Sequence, residues 1–226
     1  MEIEEIKNLL KNKLSDYLNG PGSIIYSSVE TIRKGDYYIL GLNPGGIPDK
    51  QTIANCINTL DSKTINSYVD EEWDWRGKKL KKGEHPFQKA LKEITKNLNT
   101  ELKDIFASNL IFIRTRKGKE IKDYDSVAPT FWQVHEYLIK EIVKPKVIFA
   151  IGNSESLSSY SFLKKVNISS IITESSKQHK NVKFKSFTTS QYKVIGLPHL
   201  SRFSWIINGK NGETFFNWLK NEMNLK

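Results

Sequence analysis

The sequence predicts an α/β fold of three layers (α/β/α), in which helices cover both faces of a mostly parallel four-stranded sheet. Four short apolar runs have the length of buried strands, and amphipathic helical patterns separate them along the chain. Buried strands that alternate with helices are typical of a parallel sheet covered on both faces. The expected strands are Tyr37–Leu40, Ile105–Ile113, Val147–Ile151 and Tyr192–Pro198.

Apolar residues that recur every three or four positions predict the helices. Pro86 favours the opening of the second helix, and Pro145 ends the third. Residues 47–84 are interpreted as a long irregular loop, and the polar, Lys-rich stretch 167–191 is left unassigned. The expected helices are Ile3–Tyr17, Phe87–Leu98, Phe131–Val143, about Glu155–Val166, and a last helix that holds Phe215 to Met223.

Length and hydropathy predict one domain over residues 1–226. A chain of 226 residues with 38% hydrophobic residues can bury a substantial core. The mean hydropathy is −0.48, and no apolar run approaches the length of a membrane span. The acidic start of the chain lacks a signal-peptide pattern. We therefore expect a cytoplasmic protein without a membrane partner, and we expect a monomer.

Cysteine and histidine usage argues against a metal centre. Cys56 is the only cysteine, so neither an intramolecular disulfide nor a cysteine-ligated cluster is possible within one chain. The four histidines are scattered without the spacing of metal ligands. The sequence predicts no metal and no cofactor.

The charge balance points to an anionic partner, with DNA or RNA as the obvious candidate. The formal net charge is +10 and the pI is near 9.4. A biased genome that favours lysine and asparagine would produce the same charge. The basic runs Arg76–Lys82 and Arg114–Lys119 would suit phosphates, and solvated loop charge explains them equally well.

Three polar segments follow predicted strands, where ligand sites form in an open α/β sheet. Residues 41–46 read Gly-Leu-Asn-Pro-Gly-Gly, residues 108–110 read Ser-Asn-Leu, and residues 199–204 read His-Leu-Ser-Arg-Phe-Ser. Each has an ordinary explanation by itself: a tight turn, an asparagine at a strand end, and a core histidine. Their joint order and spacing favour a single functional site.

This set of segments resembles the uracil-DNA glycosylase superfamily. Residues 41–45 match the G-x-N-P-G form of its water-activating motif, found in the mismatch-specific and single-strand-selective families. Residues 199–204 are similar to its H-P-S-P-L-S motif, with Leu200 and Arg202 as the departures. The resemblance covers roughly Tyr37 to Ser204 in outline.

The resemblance implies a monofunctional glycosylase that extrudes a base from DNA and hydrolyses its glycosidic bond. Asn43 would position the attacking water, and His199 would stabilise the negative charge on the leaving base. Phe203 would wedge into the base stack. The residues implied at the base are Gly41, Leu42, Gly45, Phe87 and Asn109, and those implied at the DNA are Ser201, Arg202, Phe203 and Ser204.

Several alternatives stay open at this point. Trp73 and Trp75 compete with Phe87 as the ring that stacks on the base. Uracil is the expected base, but Gly45 replaces a bulky residue, so a 5-modified pyrimidine would also fit. A defence enzyme against bulky modified cytosines of phage DNA, a non-catalytic nucleic-acid-binding protein and a nucleotide-processing enzyme remain as alternatives. Residues 152–154 would cap a helix, with a phosphate contact as the second option.

Overall fold

A computed structural model describes residues 3–224 and shows an α/β architecture around a six-stranded, mostly parallel sheet. The sheet order is β4-β1-β5-β8-β7-β6, and β2 and β3 form a separate small hairpin. The strands are β1 Tyr37–Gly41, β2 Asp74–Trp75, β3 Lys78–Lys79, β4 Phe106–Asn109, β5 Val147–Ile151, β6 Thr173–His179, β7 Val182–Thr188 and β8 Lys193–Leu197.

Helices precede, connect and follow these strands. A π-helical segment, Leu138–Val143, continues the fourth helix. The α-helices are α1 Ile3–Lys13, α2 Ile53–Asn58, α3 Pro86–Asn97, α4 Tyr124–Tyr137, α5 Ser159–Val166, α6 Leu200–Phe203 and α7 Gly209–Met223.

The four strands predicted from the sequence form the parallel part of the sheet. β1 pairs in parallel with β4 and β5, and β5 pairs in parallel with β8. All five residues of β5 are buried, as expected for a strand covered on both faces. The parallel direction places the C-terminal ends of β1, β4, β5 and β8 at one edge of the sheet.

The expected number of four strands is too low, because β6 and β7 add an antiparallel hairpin beside β8. Val182 and Phe184 of β7 point into the core, whereas six of the seven residues of β6 are exposed. A polar edge strand lacks the apolar alternation that marks a strand in a sequence. The stretch left unassigned therefore holds this hairpin.

Two hydrophobic clusters occupy the two faces of the sheet, as the alternation of Tyr38 and Ile39 along β1 shows. Tyr38 belongs to a cluster with residues of α1, α2, α4 and α5. Ile39 belongs to a second cluster with residues of α3, α6 and α7. Successive side chains of a strand point to opposite faces, so one strand anchors both helical layers.

Several predicted boundaries are wrong. The strand expected over Ile105–Ile113 ends at Asn109, and α4 begins at Tyr124 rather than Phe131. The stretch 47–84 is not wholly irregular, because it contains α2 and the hairpin of β2 and β3. α5 begins at Ser159, where Ser158 caps it by accepting a hydrogen bond from the amide of Ser161.

No helix within residues 3–224 is long and apolar enough to cross a membrane. The single cysteine, Cys56, is buried on α2 as a free thiol. Burial raises the pKa of this thiol.

Candidate functional site

The three polar segments meet at the carboxyl edge of the parallel strands. β1 leads into Asn43, β4 ends in Asn109, and β8 leads into His199. β1 and β4 are neighbours, whereas β5 separates β1 from β8. Ligands of open α/β sheets bind at this edge, so the arrangement places two carboxamides and an imidazole where a ligand site is expected.

Asn43 is held by its amide nitrogen and presents its amide oxygen. Its Nδ2 donates to Thr115 Oγ1 at 2.8 Å, to the Pro44 carbonyl at 3.0 Å and to the Ile113 carbonyl at 3.3 Å. Thr115 donates its own proton to the Lys117 carbonyl, so its oxygen must accept from Asn43. Asn43 Oδ1 accepts no hydrogen bond from residues 3–224 and is available to a water molecule.

The segment that follows β4 braces the loop that carries Asn43. The Thr115 amide donates to the Pro44 carbonyl, and Arg114 Nη1 donates to the Gly45 carbonyl at 2.8 Å. Arg114 Nε lies 3.7 Å from an Asp49 carboxylate oxygen, yet this buried Nε has no hydrogen-bond partner among the described residues. The sequence marked this segment only as a basic run, and the role of Thr115 was missed.

Asn109 is buried, with 6% of its surface exposed, and needs a glycine beside it. Gly41 lies opposite Asn109 in the β1–β4 register, and a Cβ on Gly41 would stand 2.1 Å from Asn109 Oδ1. The Asn109 carbonyl is bonded to Nε2 of buried His135 at 2.9 Å, and His135 Nδ1 lies 2.7 Å from the Tyr38 hydroxyl. These contacts fix the strand end that presents the carboxamide.

Tyr26 joins Asn109 from the loop before β1, and the sequence analysis missed it. Its amide donates to the Ala107 carbonyl at 2.8 Å, which ties the loop to β4. Burial raises the pKa of Tyr26 to about 12, although the positive charge of Arg114 acts in the opposite direction. The Tyr26 hydroxyl interacts with both Arg114 and Asn109. Tyr26 is therefore a protonated hydrogen-bonding group beside the carboxamide at neutral pH.

A run of aromatic rings connects the Asn109 side of the site to His199. Tyr26 stacks on Tyr68 with ring centroids 5.5 Å apart. Phe87 lies 5.5 Å from Tyr68, 6.0 Å from Trp73 and 5.6 Å from the His199 ring. Phe87 thus adjoins His199, and Trp73 packs behind it.

The start of α3 sets the position of Phe87. His85 caps the helix, because its Nδ1 accepts from the Phe87 amide at 3.1 Å while Gln88 Oε1 accepts from the His85 amide. Trp75, the other candidate ring, lies edge-on to His85 at 5.0 Å. Burial lowers the pKa of His85, which keeps this capping imidazole neutral.

His199 is a neutral imidazole at the edge of the site. It remains accessible to solvent, yet its pKa is lowered to about 4, chiefly by desolvation in the surrounding protein and then by the charge of Arg202 and the nearby His85 imidazole. The Ser201 hydroxyl lies 2.7 Å from its Nδ1. When this hydroxyl donates to Nδ1, the ring carries its proton on Nε2 and can donate a hydrogen bond there.

The remaining expected site residues have varied surroundings. Arg202 is exposed, whereas Phe203 is half-buried against the cluster that holds α3 and α7. The Ser204 carbonyl accepts from the Asn208 side chain. Leu42 packs against the cluster on the other face, and Gly45 is exposed with open space around a Cβ placed there.

Asn153 does not cap a helix, which corrects the interpretation of residues 152–154. Its Nδ2 donates to the carbonyls of Lys183 at 2.6 Å and Gly196 at 3.0 Å. It therefore ties the added hairpin to β8. Ser158 provides the cap of α5 instead.

Within residues 3–224, no group of three or more His, Cys, Asp or Glu side chains is arranged to hold a metal ion. The sequence matches no protein-family model, and no curated protein is significantly similar to it. The geometry of the site and the three sequence segments are therefore what indicates its function.

Proposed function

We propose that this protein is a monofunctional DNA glycosylase of the uracil-DNA glycosylase type. The observation that carries the proposal is the convergence of Asn43, Asn109, Phe87 and His199 at one edge of the sheet. Each has the surroundings that its proposed role requires. The net charge of +10 supports DNA as the substrate.

The base would bind between the aromatic run and the buried carboxamide. Phe87 offers a ring for stacking, and Asn109 offers both a donor and an acceptor to the Watson–Crick edge of an extruded pyrimidine. Tyr26 stands beside Asn109 with a protonated hydroxyl. These groups would orient the base before the bond breaks.

Hydrolysis would proceed without a general base on the protein. Asn43 Oδ1 accepts a hydrogen bond from water and directs the water oxygen at C1′ of the sugar; an amide does not titrate at neutral pH. The glycosidic electron pair leaves with the base as an anion, and His199 Nε2–H donates to the oxygen on which negative charge develops. Water adds to C1′ and releases a proton to solvent, and the base anion takes up a proton from solvent.

The target base is uracil or a 5-modified pyrimidine. No atom lies within 4 Å of a Cβ placed on Gly45, which is the position that the resemblance puts beside C5. That open space favours a second candidate function, a defence glycosylase that removes bulky modified cytosines. The Arg114 guanidinium adjoins the Gly45 carbonyl and would offer hydrogen bonds to a polar substituent.

Abasic-site formation on labelled oligonucleotides, revealed by alkaline cleavage, tests the proposal. The panel holds uracil, hypoxanthine, mismatched thymine and 5-modified cytosines, each in single strands and duplexes. We expect cleavage of at least one substrate, and strong loss in Asn43→Ala and His199→Ala. Asn217→Ala, at an exposed position of α7, is the matched control and should behave as the wild type.

Cleavage that survives both substitutions would contradict the assigned roles. Tight DNA binding without cleavage of any substrate would favour the non-catalytic binding protein. Saturation by mononucleotides without benefit from polymeric DNA would favour a nucleotide-processing enzyme.

A further inference from the structure

The β6–β7 hairpin extends past the end of β8 at the edge that holds the candidate site. Lys185 pairs with Gly196, so Phe184 is level with Leu197, the last residue of β8. Val182 lies two residues further along, roughly 7 Å beyond that level. The turn of the hairpin therefore stands beside the segment that begins at His199.

The hairpin turn and the neighbouring segment are rich in basic residues, of which Lys185 pairs with the Glu155 carboxylate. Residues 177–185 include four lysines and no acidic residue, and residues 199–212 include Arg202 and Lys210 and no acidic residue. Lys180, Arg202 and Lys210 form no ion pair with any residue between 3 and 224. Arg202 and Lys210 are exposed.

Trp205 lies against the hairpin turn. Lys180 Nζ lies 5.1 Å from the centroid of the Trp205 ring, and the His179 ring lies 5.8 Å from it. His179 Nε2 is bonded to Asn211 Oδ1 at 3.1 Å, which links the turn to the first part of α7. We call the group of Lys180, Arg202, Trp205 and Lys210 the hairpin platform.

Hydrogen bonds fix the base of the hairpin to the rest of the sheet. Asn153 Nδ2 donates to the carbonyls of Lys183 and Gly196, and Lys185 Nζ donates to the Asn153 carbonyl at 3.0 Å. The platform is thereby held in a set position relative to β8 and His199. Cations that lack ion-pair partners among the described residues suit a polyanion such as the DNA backbone.

We propose that the hairpin platform binds the phosphate backbone of the DNA that flanks the extruded nucleotide. The inference rests on the proposed function for its choice of DNA as the partner. Lys180 and Lys210 would contact phosphates, and Arg202 would connect this contact to the base site, since its amide donates to the His199 carbonyl at 3.0 Å. Backbone contacts of this kind position a duplex and carry no sequence information.

The test compares two charge-matched double variants for binding to an undamaged labelled duplex over a range of salt concentrations. Lys180→Asn/Lys210→Gln removes two platform charges, and asparagine tolerates the positive φ of 52° at position 180. Lys34→Gln/Lys103→Gln removes two exposed lysines that precede β1 and β4, at the opposite edge of the sheet. Thermal unfolding of each variant verifies the fold.

The logarithm of the DNA association constant falls linearly with the logarithm of the salt concentration. Loss of two phosphate contacts should make this slope shallower by about 1.8 in the platform variant. The control variant should keep the wild-type slope. Equal salt slopes in all three proteins, or an equal decrease of the slope in both variants, would refute the proposal that the platform binds DNA. A wild type that does not bind DNA would also refute it.

Abasic-site formation by the wild type separates the two proposals. If only the platform variant shows a shallower salt slope and the wild type cleaves no substrate, the platform proposal stands and the glycosylase proposal is refuted. If the wild type cleaves normally and the platform variant keeps the wild-type salt slope, the glycosylase proposal stands and the platform proposal is refuted.

Discussion

Gly41 and Asn109 face each other across β1 and β4 so closely that the carboxamide occupies the space of a missing side chain. A Cβ on Gly41 would stand 2.1 Å from Asn109 Oδ1 and 3.2 Å from its Cγ. The glycine is therefore required by a close approach rather than by an unusual backbone angle. It links the first polar segment physically to the second.

Gly41→Ala should displace the Asn109 carboxamide. We expect abasic-site formation to fall on the order of 100-fold, because small misplacements of orienting groups have effects of that size. The free energy of unfolding should fall by about 1–3 kcal/mol from overpacking. Single-turnover cleavage and urea unfolding measure the two effects.

Gly35→Ala is the matched control for this change. A Cβ on Gly35 would lie 3.9 Å from the Arg33 carbonyl, which is an ordinary contact. Its activity and stability should stay near those of the wild type. Full activity in Gly41→Ala would refute the role of Asn109 in base recognition.

Thr115→Val should lower the cleavage rate at saturating DNA while leaving DNA binding nearly unchanged. The substitution removes the oxygen that accepts from Asn43 Nδ2 at 2.8 Å, so the amide that is proposed to orient water loses its shortest hydrogen bond. The loss of one such hydrogen bond, worth about 1–2 kcal/mol, corresponds to a rate decrease of roughly 10-fold. Separate measurements of kcat and KM detect it.

Thr115→Ser retains the hydroxyl and should restore most of the rate. If the serine variant loses as much activity as the valine variant, retaining the hydroxyl does not preserve the rate, which would contradict the role assigned to the hydrogen bond between Thr115 and Asn43.

The sequence could predict the strand ends because apolar runs that stop at polar residues mark them directly. Asn43 and His199 follow such runs, whereas Asn109 lay inside the predicted strand Ile105–Ile113 and was singled out by the resemblance; the structure places all three at one edge of the sheet. Tyr26 gave no such signal, since it lies in a loop without periodicity and reaches the site through a backbone bond to Ala107. Contacts between distant segments leave no local trace in a sequence.

The β6–β7 hairpin shows a partial signal that was not used. Val182 and Phe184 alternate with Lys183 and Lys185, which is the period of a half-buried strand. Its partner β6 is exposed along nearly its whole length and has no apolar alternation. An edge strand is specified by its neighbour, so its own residues do not reveal it.

The cleavage rate should remain high below pH 6, because a pKa of about 4 keeps His199 neutral there. An imidazole with an ordinary pKa of 6.5 would protonate across that range. We expect the acid limb of the single-turnover pH profile to have its midpoint near 4. His199→Gln should cleave more slowly, and its pH profile should lack the acid limb that is assigned to His199. A wild-type midpoint near 6.5 would contradict the desolvated environment.

Stability should fall in acid because of His135, which is fully buried and bonded to the Asn109 carbonyl and the Tyr38 hydroxyl. Burial lowers the pKa of His135 from 6.5 to about 4. Between these values the unfolded chain binds a proton that the folded chain does not, so the free energy of unfolding rises with pH. The contribution is fully present above pH 6.5 and is lost progressively as pH falls toward 4.

The expected loss from His135 over that interval is on the order of 3 kcal/mol. Urea unfolding at a series of pH values measures it, and the comparison with His135→Gln isolates it. The variant is expected to be less stable at neutral pH but to show a shallower dependence on pH. Parallel curves for the two proteins would assign the acid sensitivity to other groups.

Gly45→Tyr should narrow the range of bases that the proposed glycosylase accepts. Position 45 is exposed, its φ is not positive, and a Cβ there meets no atom within 4 Å, so a tyrosine can be accommodated without backbone strain. A ring beside C5 of the bound pyrimidine would collide with a 5-substituent and spare uracil, which is discrimination by steric exclusion. Ratios of kcat/KM for uracil and 5-modified substrates measure the change, with Gly45→Ala as the control that adds only a methyl group. If Gly45→Tyr lowers both activities equally, position 45 does not lie beside C5, and the open space has no part in substrate choice.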